Sequence, residues 1–186
     1  MLDGVRVLDL SDERGIFCGQ LLADLGADVV AVEPPGGSSA RRVGPFAGDV
    51  ATPENSLHWW AYARNKRSVT LDLDAKDDRE RLRRLAASSD LVIESFEPGF
   101  LSERGLGFED LARINPRLSL VSITPFGQDG PKALWAANAL TALAASGVLH
   151  LTGDDDRAPL YVPGNQAYLH ASAEAAVAAL IALEAC

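Results

Sequence analysis

Short apolar segments alternate with segments of helical spacing along residues 1–123, and this alternation constrains the fold more than any other feature of the sequence. Residues 5–10 and 28–33 are short, rich in valine and mostly apolar, which predicts two strands. Residues 16–25 between them carry apolar side chains at helical spacing and stop at Gly26. Because the strands are continuously apolar rather than alternating, the segment predicts a βαβ unit in a parallel sheet covered on both faces.

The same alternation continues beyond this first unit. It predicts, in order, strand 68–73, helix 77–88, strand 91–94, helix 108–114 and strand 118–123. Five strands alternating with helices predict an α/β fold: an open, doubly wound, mostly parallel sheet of the Rossmann-like kind, flanked by helices. We expect right-handed crossovers between the strands.

Two segments stand outside this alternation. Residues 34–57 form a long insertion rich in Gly, Pro and Ser, and loops of this length are uncommon unless they carry function. Residues 166–186 predict a helix that is nearly all apolar after Glu174 and has to be buried against something. The chain stops at this helix without a capping Gly or a basic last turn. We therefore expect one domain over residues 1–186 that is a fragment of a longer polypeptide.

The composition narrows the classes of function. A net charge of −9 and a pI near 4.7 argue against a general nucleic-acid binder, which needs a basic face. No apolar run approaches the roughly 18 residues of a membrane span, and no signal peptide is recognisable. The two cysteines, Cys18 and Cys186, stand far apart, and the chain has only three His, so we expect neither a disulfide framework nor a zinc site. These features predict a cytoplasmic protein with no metal, no nucleic-acid partner and no membrane partner.

A dinucleotide is the first ligand to test against an open sheet, and the glycine pattern does not favour it. The first strand–turn–helix lacks G-x-G-x-x-G: Gly15 and Gly19 are separated by three residues, and Glu13 and Arg14 stand where the tight turn would be. Glu33, at the end of the second strand, is the single match to a ribose-binding acid. The sequence therefore favours a solvated Glu33 over an NAD(P) site.

The distribution of cations favours a phosphate ligand, with a solubilising loop as the alternative. The cations form two groups that flank the insertion, Arg41 and Arg42 in one and Arg64, Lys66 and Arg67 in the other. Arg suits bidentate phosphate contacts and Lys adds a point charge. Aromatic side chains between the groups either pack in the core or form the wall of an adenine site; they are Trp59, Trp60 and Tyr62.

No catalytic triad can be assembled from the sequence. The three histidines, His58, His150 and His170, are far apart, and no G-x-S-x-G motif is present. His170, on the last predicted helix, is the best suited of the three to acid/base chemistry. The run of three Asp at 154–156 lacks the Gly and Glu spacing of a calcium loop, so it is expected to be a solvated turn.

A series of short motifs resembles the N-terminal part of the class III CoA-transferases, the CaiB/BaiF family. They run in the same order along essentially all 186 residues: GVRVLDL at 4–10, LADLGADVV at 22–30, VEPPGG at 32–37, NKRSVTLD at 65–72, ESFEPG at 94–99, GLG at 105–107, NPRL at 115–118 and SITPFGQDGP at 122–131. The resemblance implies that coenzyme A or acyl-CoA is the substrate and lies along the carboxyl edge of the sheet, where open sheets bind ligands.

The resemblance also implies which residues contact CoA. Glu13 and Arg14 match positions lining the CoA and acyl site, and Arg42 matches a cation near the phosphates. The remaining matches surround the adenine and ribose (Leu71, Asp72, Leu73, Asp74, Ser95, Phe96 and Glu97) or the pantetheine arm (Trp135 and Asn138). Ser95 stands where the family often has Asn, and Arg104 is displaced by one place from the usual basic position.

The position of the family's catalytic residue departs from the pattern. Family transferases use an Asp that attacks the thioester, forming a mixed anhydride and then an aspartyl-CoA thioester. The matching position here is Tyr168, whose ordinary pKa near 10 makes it unsuited to that chemistry. Family racemases use a His and an Asp, and the matching residues 136–139 contain no His.

Three readings follow from this departure. In the first, the chain works in a hetero-oligomer or tandem fusion whose partner half carries the Asp. In the second, the chemistry has shifted to other groups such as His170, as in an acyl-CoA racemase or isomerase. In the third, the chain is a CoA-binding or assembly subunit without activity. The family's second lobe is absent from this sequence, and the resemblance implies an interlocked homo- or hetero-dimer that moves CoA between an acyl-CoA and a carboxylic acid.

Overall fold

The computed structural model describes residues 1–185 and contains a five-stranded sheet in which all strands are parallel. The strands are β1 (Arg6–Leu10), β2 (Asp28–Glu33), β3 (Arg67–Thr70), β4 (Leu91–Glu94) and β5 (Ser119–Ser122), in the spatial order β3-β2-β1-β4-β5. The strand order reverses between β1 and β4, which makes that pair the topological switch point. Cys186 lies outside the described residues, so the expectation that it stays unpaired is still a prediction.

Seven α-helices occur in residues 1–185: α1 (Ile16–Asp24), α2 (Leu57–Tyr62), α3 (Lys76–Ala86), α4 (Phe100–Glu103), α5 (Phe108–Ile114), α6 (Ala139–Ala145) and α7 (Gln166–Ala185). Short 3₁₀ turns lie at Ser39–Arg42, Ala47–Asp49 and Val148–Leu151. The predicted order of strands and helices and the α/β fold class are confirmed. Helices α2, α4 and α6 were not predicted from the sequence, because segments of four to seven residues hardly repeat the helical period.

The core has two layers because successive side chains of a strand point to opposite faces of the sheet. Val7 on β1 packs with α1 and α7, whereas its neighbour Leu8 packs with α3 and α5. On β4, Ile93 belongs to the first layer and Val92 to the second. This two-sided burial explains the continuously apolar strands in the sequence.

The third strand ends earlier than predicted. Leu71 still donates its backbone N–H to Glu33 O at 2.9 Å, but the chain then leaves the sheet. An Asp side chain forms the turn: Asp72 Oδ1 accepts the Asp74 N–H at 3.0 Å. The sequence from 71 to 74 therefore lies in a loop at the carboxyl edge of the sheet instead of continuing the strand.

The insertion at 34–57 is fastened to the sheet. An antiparallel bridge joins Phe46 to Ser56, and Ser56 caps α2 by accepting the Trp59 N–H at 3.1 Å. Arg41 lies over the Trp59 ring at 4.0 Å from its centroid. The long insertion is thus a folded segment that packs against α2.

Helix α7 packs through a stripe of small residues. Ser172, Ala176 and Ala179 are buried against α1 and β5, whereas Val177 and Ile181 on the opposite side are 53% and 67% exposed. The predicted burial of this segment therefore holds for one face only. By length and composition alone α7 is apolar enough to cross a membrane, contrary to the sequence-based expectation of no such run. Scattered polar residues interrupt the apolar run, and the expectation was based on that interruption. The mean hydropathy of the helix nevertheless stays high enough for a membrane span.

Candidate functional site

A cleft of about 440 Å³ opens at the carboxyl edge of the sheet, between the loops that follow β1, β2, β3 and β4. We call it the sheet-edge cleft. Six of the residues singled out from the sequence line it together: Arg42, Leu71, Asp72, Leu73, Asp74 and Phe96. They come from three separate loops, so the parallel arrangement of the strands is what brings them to one place.

A buried ion pair stabilises the loop after β1. Lys66 Nζ lies 2.7 Å from Asp9 Oδ2, and the two side chains are 1% and 2% exposed. The same ammonium donates to Ile16 O at 2.7 Å, and Asp9 Oδ1 accepts the Ser11 N–H at 3.0 Å. Gly19 leaves room for this pair, since a Cβ there would lie 2.1 Å from Asp9 Oδ2. Lys66 is therefore fully engaged inside the fold.

The loop after β2 is held in the same way by Glu33. Its carboxylate accepts two hydrogen bonds from the Arg41 guanidinium, at 2.6 and 3.0 Å, and one from the Ser38 N–H at 3.0 Å. The Ser68 hydroxyl donates to it at 2.6 Å. Burial alone would raise the pKa of Glu33, but these hydrogen bonds outweigh it and hold the pKa below its ordinary value. Glu33 is thus a structural carboxylate, and it does not line the cleft.

The cations grouped in the sequence have different fates in the structure. Arg64 pairs with Asp24 at 3.1 Å and Arg67 with Asp28 at 2.5 Å, both away from the cleft. Of the five cations, Arg42 alone lines the sheet-edge cleft, and its Nη2 donates to a backbone carbonyl, Gly36 O, at 3.0 Å. Of the cations in those two groups, Arg42 is therefore the one that remains a candidate phosphate ligand.

The aromatic residues between those groups pack elsewhere. Tyr62 meets Phe17 edge to face at 5.5 Å, and Trp60 donates its indole N–H to Glu54 O at 2.8 Å. Neither they nor Trp59 line the sheet-edge cleft. The structure thus favours the packing interpretation over an adenine wall for this group.

A different pair of rings lines the cleft. Phe96 and Phe100 stack at 4.3 Å with planes 16° apart, and both face the cleft. The Arg104 guanidinium lies 3.7 Å from the Phe100 centroid and pairs with Asp74 at 2.8 Å. Phe100 was missed by the sequence analysis. The signal that could have found it is a second phenylalanine four positions after Phe96, directly after Pro98 and Gly99.

The loops after β1 and β4 are joined across the switch point. Asp12 exchanges two hydrogen bonds with the buried Ser95 hydroxyl, and Arg14 bridges Asp12 at 2.8 Å and Glu97 at 3.4 Å. Hydrogen bonding to Asp12 raises the pKa of Arg14 above its already high ordinary value. Glu13 accepts a hydrogen bond from the Ser39 hydroxyl. These predicted site residues thus form the rim between two clefts.

The second cleft, also about 440 Å³, lies between the start of α7, α6 and the segment after β5. We call it the α7 cleft. It is mostly apolar, and Arg14, Tyr168 and His170 are among its lining residues. Burial raises the pKa of Tyr168 above its ordinary value, so the phenol is neutral at physiological pH. No Asp or Glu belongs to the lining of this cleft in residues 1–185.

Six predicted residues lie outside the lining of both clefts: Glu13, Ser95, Glu97 and Arg104, described above, and Trp135 and Asn138. Trp135 is 57% exposed and meets Phe126 edge to face at 6.1 Å. Asn138 caps α6: its side chain accepts the Thr141 N–H at 3.0 Å, and Thr141 Oγ1 accepts the Asn138 N–H at 2.8 Å. Their predicted contact with the pantetheine arm is still a prediction.

Comparison with known proteins places this geometry in a family. The model of CoA-transferase family III matches residues 2–186. A succinyl-CoA:(R)-benzylsuccinate CoA-transferase subunit, BbsE, from Thauera aromatica is 43% identical over 178 residues, which is 96% of this chain and 43% of that protein. A succinyl-CoA–D-citramalate CoA-transferase from Chloroflexus aurantiacus is 41% identical, over 98% of this chain and 45% of that protein.

The fold agrees with these sequence matches. A crystal structure of a CaiB/BaiF family protein from Brucella suis superposes with a TM-score of 0.89 at 38% identity, over 98% of this chain and 48% of that one. The chain therefore spans less than half the length of the relatives that it matches. By both sequence and fold, it belongs to CoA-transferase family III.

Proposed function

We propose that this chain is the CoA-binding half of a cytoplasmic CoA-transferase, which moves CoA from an acyl-CoA to a carboxylic acid while a partner half supplies the catalytic Asp. The observation that carries the proposal is the sheet-edge cleft, in which six side chains expected to surround CoA line one cavity. Its volume of about 440 Å³ lies in the range of small-molecule sites.

The cleft offers suitable chemistry for the nucleotide end of CoA. Phe96 and Phe100 provide a stacked aromatic wall against which a planar base can pack. Within residues 1–185 the Arg42 guanidinium donates to one neutral carbonyl, Gly36 O, and can exchange that bond for a phosphate. Asp74 on the rim is already neutralised by Arg104 and does not oppose the phosphate with a free charge. These features support a 3′-phosphorylated adenine nucleotide as the occupant.

The α7 cleft supports a division of labour between two halves. A neutral, half-buried Tyr168 cannot form the mixed anhydride and thioester that a carboxylate forms, because it is neither a comparable nucleophile nor a comparable leaving group. The cleft lining in residues 1–185 contains no acid that could replace it. The relative from Thauera aromatica is named as a subunit of its enzyme, which supports an assembly of more than one chain. We therefore assign the nucleophile to a partner of different sequence in an interlocked dimer.

The first experiment tests binding. Calorimetric titration of the purified protein with adenosine 3′,5′-bisphosphate, the nucleotide end of CoA, is expected to give saturable binding. Adenosine 5′-monophosphate, which lacks the 3′-phosphate, is the matched control and should bind more weakly. Absence of heat with the bisphosphate and with CoA at millimolar concentration would contradict the proposal.

The second experiment locates the chemistry. The assembly is incubated with acyl-CoA and hydroxylamine, which traps an activated carboxyl group as its hydroxamate, and both halves are analysed by mass spectrometry. We expect modification on one Asp of the partner half and none on this chain. Modification of neither half removes the transferase proposal. Exchange of the acyl α-proton with solvent would then favour a racemase or isomerase, and CoA binding without turnover a non-catalytic subunit.

A further inference from the structure

Glu94, the last residue of β4, is the third buried carboxylate at the carboxyl edge of the sheet and differs from the other two. All three residues are buried: Glu94 and Asp9 are 3% exposed, and Glu33 is 4% exposed. Those two form ion pairs with Lys66 and Arg41, whereas Glu94 forms no salt bridge within residues 1–185. Burial raises the pKa of Glu94 above its ordinary value, although hydrogen bonds from Ser122 and from a backbone N–H oppose the shift.

The partners of Glu94 are all hydrogen-bond donors, and they come from two different segments. Its Oε2 accepts the Phe96 N–H at 2.7 Å, and its Oε1 accepts the Gln128 amide at 3.1 Å. The Ser122 hydroxyl at the end of β5 donates a third bond. A carboxylate can accept from two donors on separate oxygens, which an amide or hydroxyl side chain in its place could not do in the same geometry.

The two segments that Glu94 joins are the loop after β4, which reaches the sheet-edge cleft, and the segment after β5. Phe96 walls the sheet-edge cleft and stacks on Phe100. Gln128, in the segment after β5, lines a third and smaller cleft of about 230 Å³ together with Glu94 and Ser122. Burying a carboxylate without a cation is unfavourable, and Ser122 and Gln128 offset only part of that cost. What Glu94 gains in return is a hydrogen bond to each of the two segments.

We propose that Glu94 is a positioning residue for nucleotide binding, which acts through the Phe96 backbone to hold the ring wall of the sheet-edge cleft in register with the segment after β5. The inference rests on the proposed function, because the ligand is the nucleotide end of CoA. It adds a residue that contacts neither cleft's ligand directly and that the family motif by itself does not assign.

The test compares three variants by calorimetric titration with adenosine 3′,5′-bisphosphate. Glu94→Leu removes both acceptor oxygens. It is expected to raise the Kd about tenfold, because the Phe96 N–H loses its charge-assisted hydrogen bond. Glu94→Gln keeps an acceptor for Phe96, and the Gln128 amide can turn to meet the new amide, so the Kd should stay within about threefold. Gln128→Leu, at an exposed position, should raise the Kd about threefold.

Asn115→Ala is the control for a purely structural effect. Asn115 donates to Ala86 O and Ser89 O at 3.2 and 2.8 Å, at the opposite edge of the sheet from the clefts. It should lower the thermal midpoint without changing the Kd. Amide hydrogen exchange provides the second readout: protection at Phe96 should fall in Glu94→Leu and be retained in Glu94→Gln.

Each outcome decides the matter. If Glu94→Leu lowers the thermal midpoint like Asn115→Ala but binds the bisphosphate as the wild type does, Glu94 is merely structural and the inference is wrong, whereas the proposed function stands. If Glu94→Leu does not fold, an unchanged Kd in Gln128→Leu overturns the inference in the same way. If the wild type itself binds no bisphosphate, the proposed function fails first and the inference with it.

Discussion

The Ser95 hydroxyl and Asp12 hold each other across the topological switch point. Ser95 Oγ donates to Asp12 Oδ1 at 2.9 Å and accepts the Asp12 N–H at the same distance, although the two residues are 83 positions apart in sequence. Ser95 is 1% exposed, so its hydroxyl is shielded from bulk solvent. The reciprocal pair joins the loops after β1 and β4 into one rim that separates the two clefts.

Ser95→Ala should destabilise the fold by about 1–3 kcal/mol, because it leaves the Asp12 N–H without its acceptor in a buried place. The free energy of unfolding, measured by urea titration, checks this value. Ser88→Ala is the matched control: its hydroxyl bonds Leu85 O at 3.2 Å on the surface, and its loss should change stability by less than about 0.5 kcal/mol. Equal effects of the two changes would argue against the proposed rim.

Lys66→Met should be far more destabilising than the change of a neighbouring cation. Removing the ammonium leaves Asp9 buried and unpaired, which is expected to cost about 3–5 kcal/mol of stability. Arg67→Met removes an ion pair with Asp28 in which both partners are largely exposed, and should cost less than about 1 kcal/mol. Thermal and urea unfolding of both variants measure the difference; a Lys66 variant as stable as the Arg67 variant would contradict the buried pair.

Arg42 and Arg41 are adjacent in sequence but should respond in opposite ways to truncation. Arg42→Ala is expected to weaken binding of adenosine 3′,5′-bisphosphate by about 1–3 kcal/mol while leaving the unfolding transition in place. Arg41→Ala should instead destabilise the insertion, because it leaves the buried Glu33 carboxylate without its cation. Calorimetry and thermal unfolding on the same samples separate the two effects. An unchanged affinity in Arg42→Ala would remove Arg42 from the site.

Two buried carboxylates should shape the pH dependence of stability with opposite sign. The pKa of Glu33 is lowered in the folded state, so its stabilising contribution is present above the unfolded pKa, about 4.3, and is lost as pH falls through the folded pKa. The pKa of Glu94 is raised, so its contribution is present below the unfolded pKa and is lost as pH rises through the folded pKa.

Urea unfolding of the wild type, Glu33→Gln and Glu94→Gln between pH 3 and pH 7 tests these signs. The stability difference between the wild type and Glu33→Gln should shrink toward low pH, since the protonated Glu33 no longer attracts Arg41. The difference between the wild type and Glu94→Gln should move the other way. Parallel curves for the two variants would show that the assigned directions are wrong.

The secondary structure was readable from the sequence where burial is two-sided. Val7, Leu8 and their counterparts on β4 are apolar on both faces, and this pattern led directly to a parallel sheet. The short helix that contains Phe100 was not readable, because four residues make a single turn and show no repeat of the helical period. The motifs predicted Arg42 and Phe96 at the carboxyl edge, and the structure brings them into one cleft, but their roles in binding are still predictions.

Other assignments required distances that no local pattern contains. The sequence grouped Lys66 with Arg42 as a possible phosphate ligand, yet Lys66 is 57 residues from Asp9 in the chain and 2.7 Å from it in space. The sequence favoured a packed position for Trp59 and left an adenine wall as the alternative; in the structure Arg41 lies over its ring. Charge type alone does not tell whether a cation faces a ligand or a buried acid.

The sequence by itself therefore determined the order of strands and helices, the parallel sheet and the family, because these depend on local periodicity and on motifs that keep their order along the chain. Only the tertiary structure decided which polar side chains are available to a ligand. Ion pairs such as Lys66 with Asp9, and shared acceptors such as Glu94, form between residues that are brought together by the crossovers of the sheet. Burial then strengthens these contacts, so the residues that form them are not available to bind a ligand.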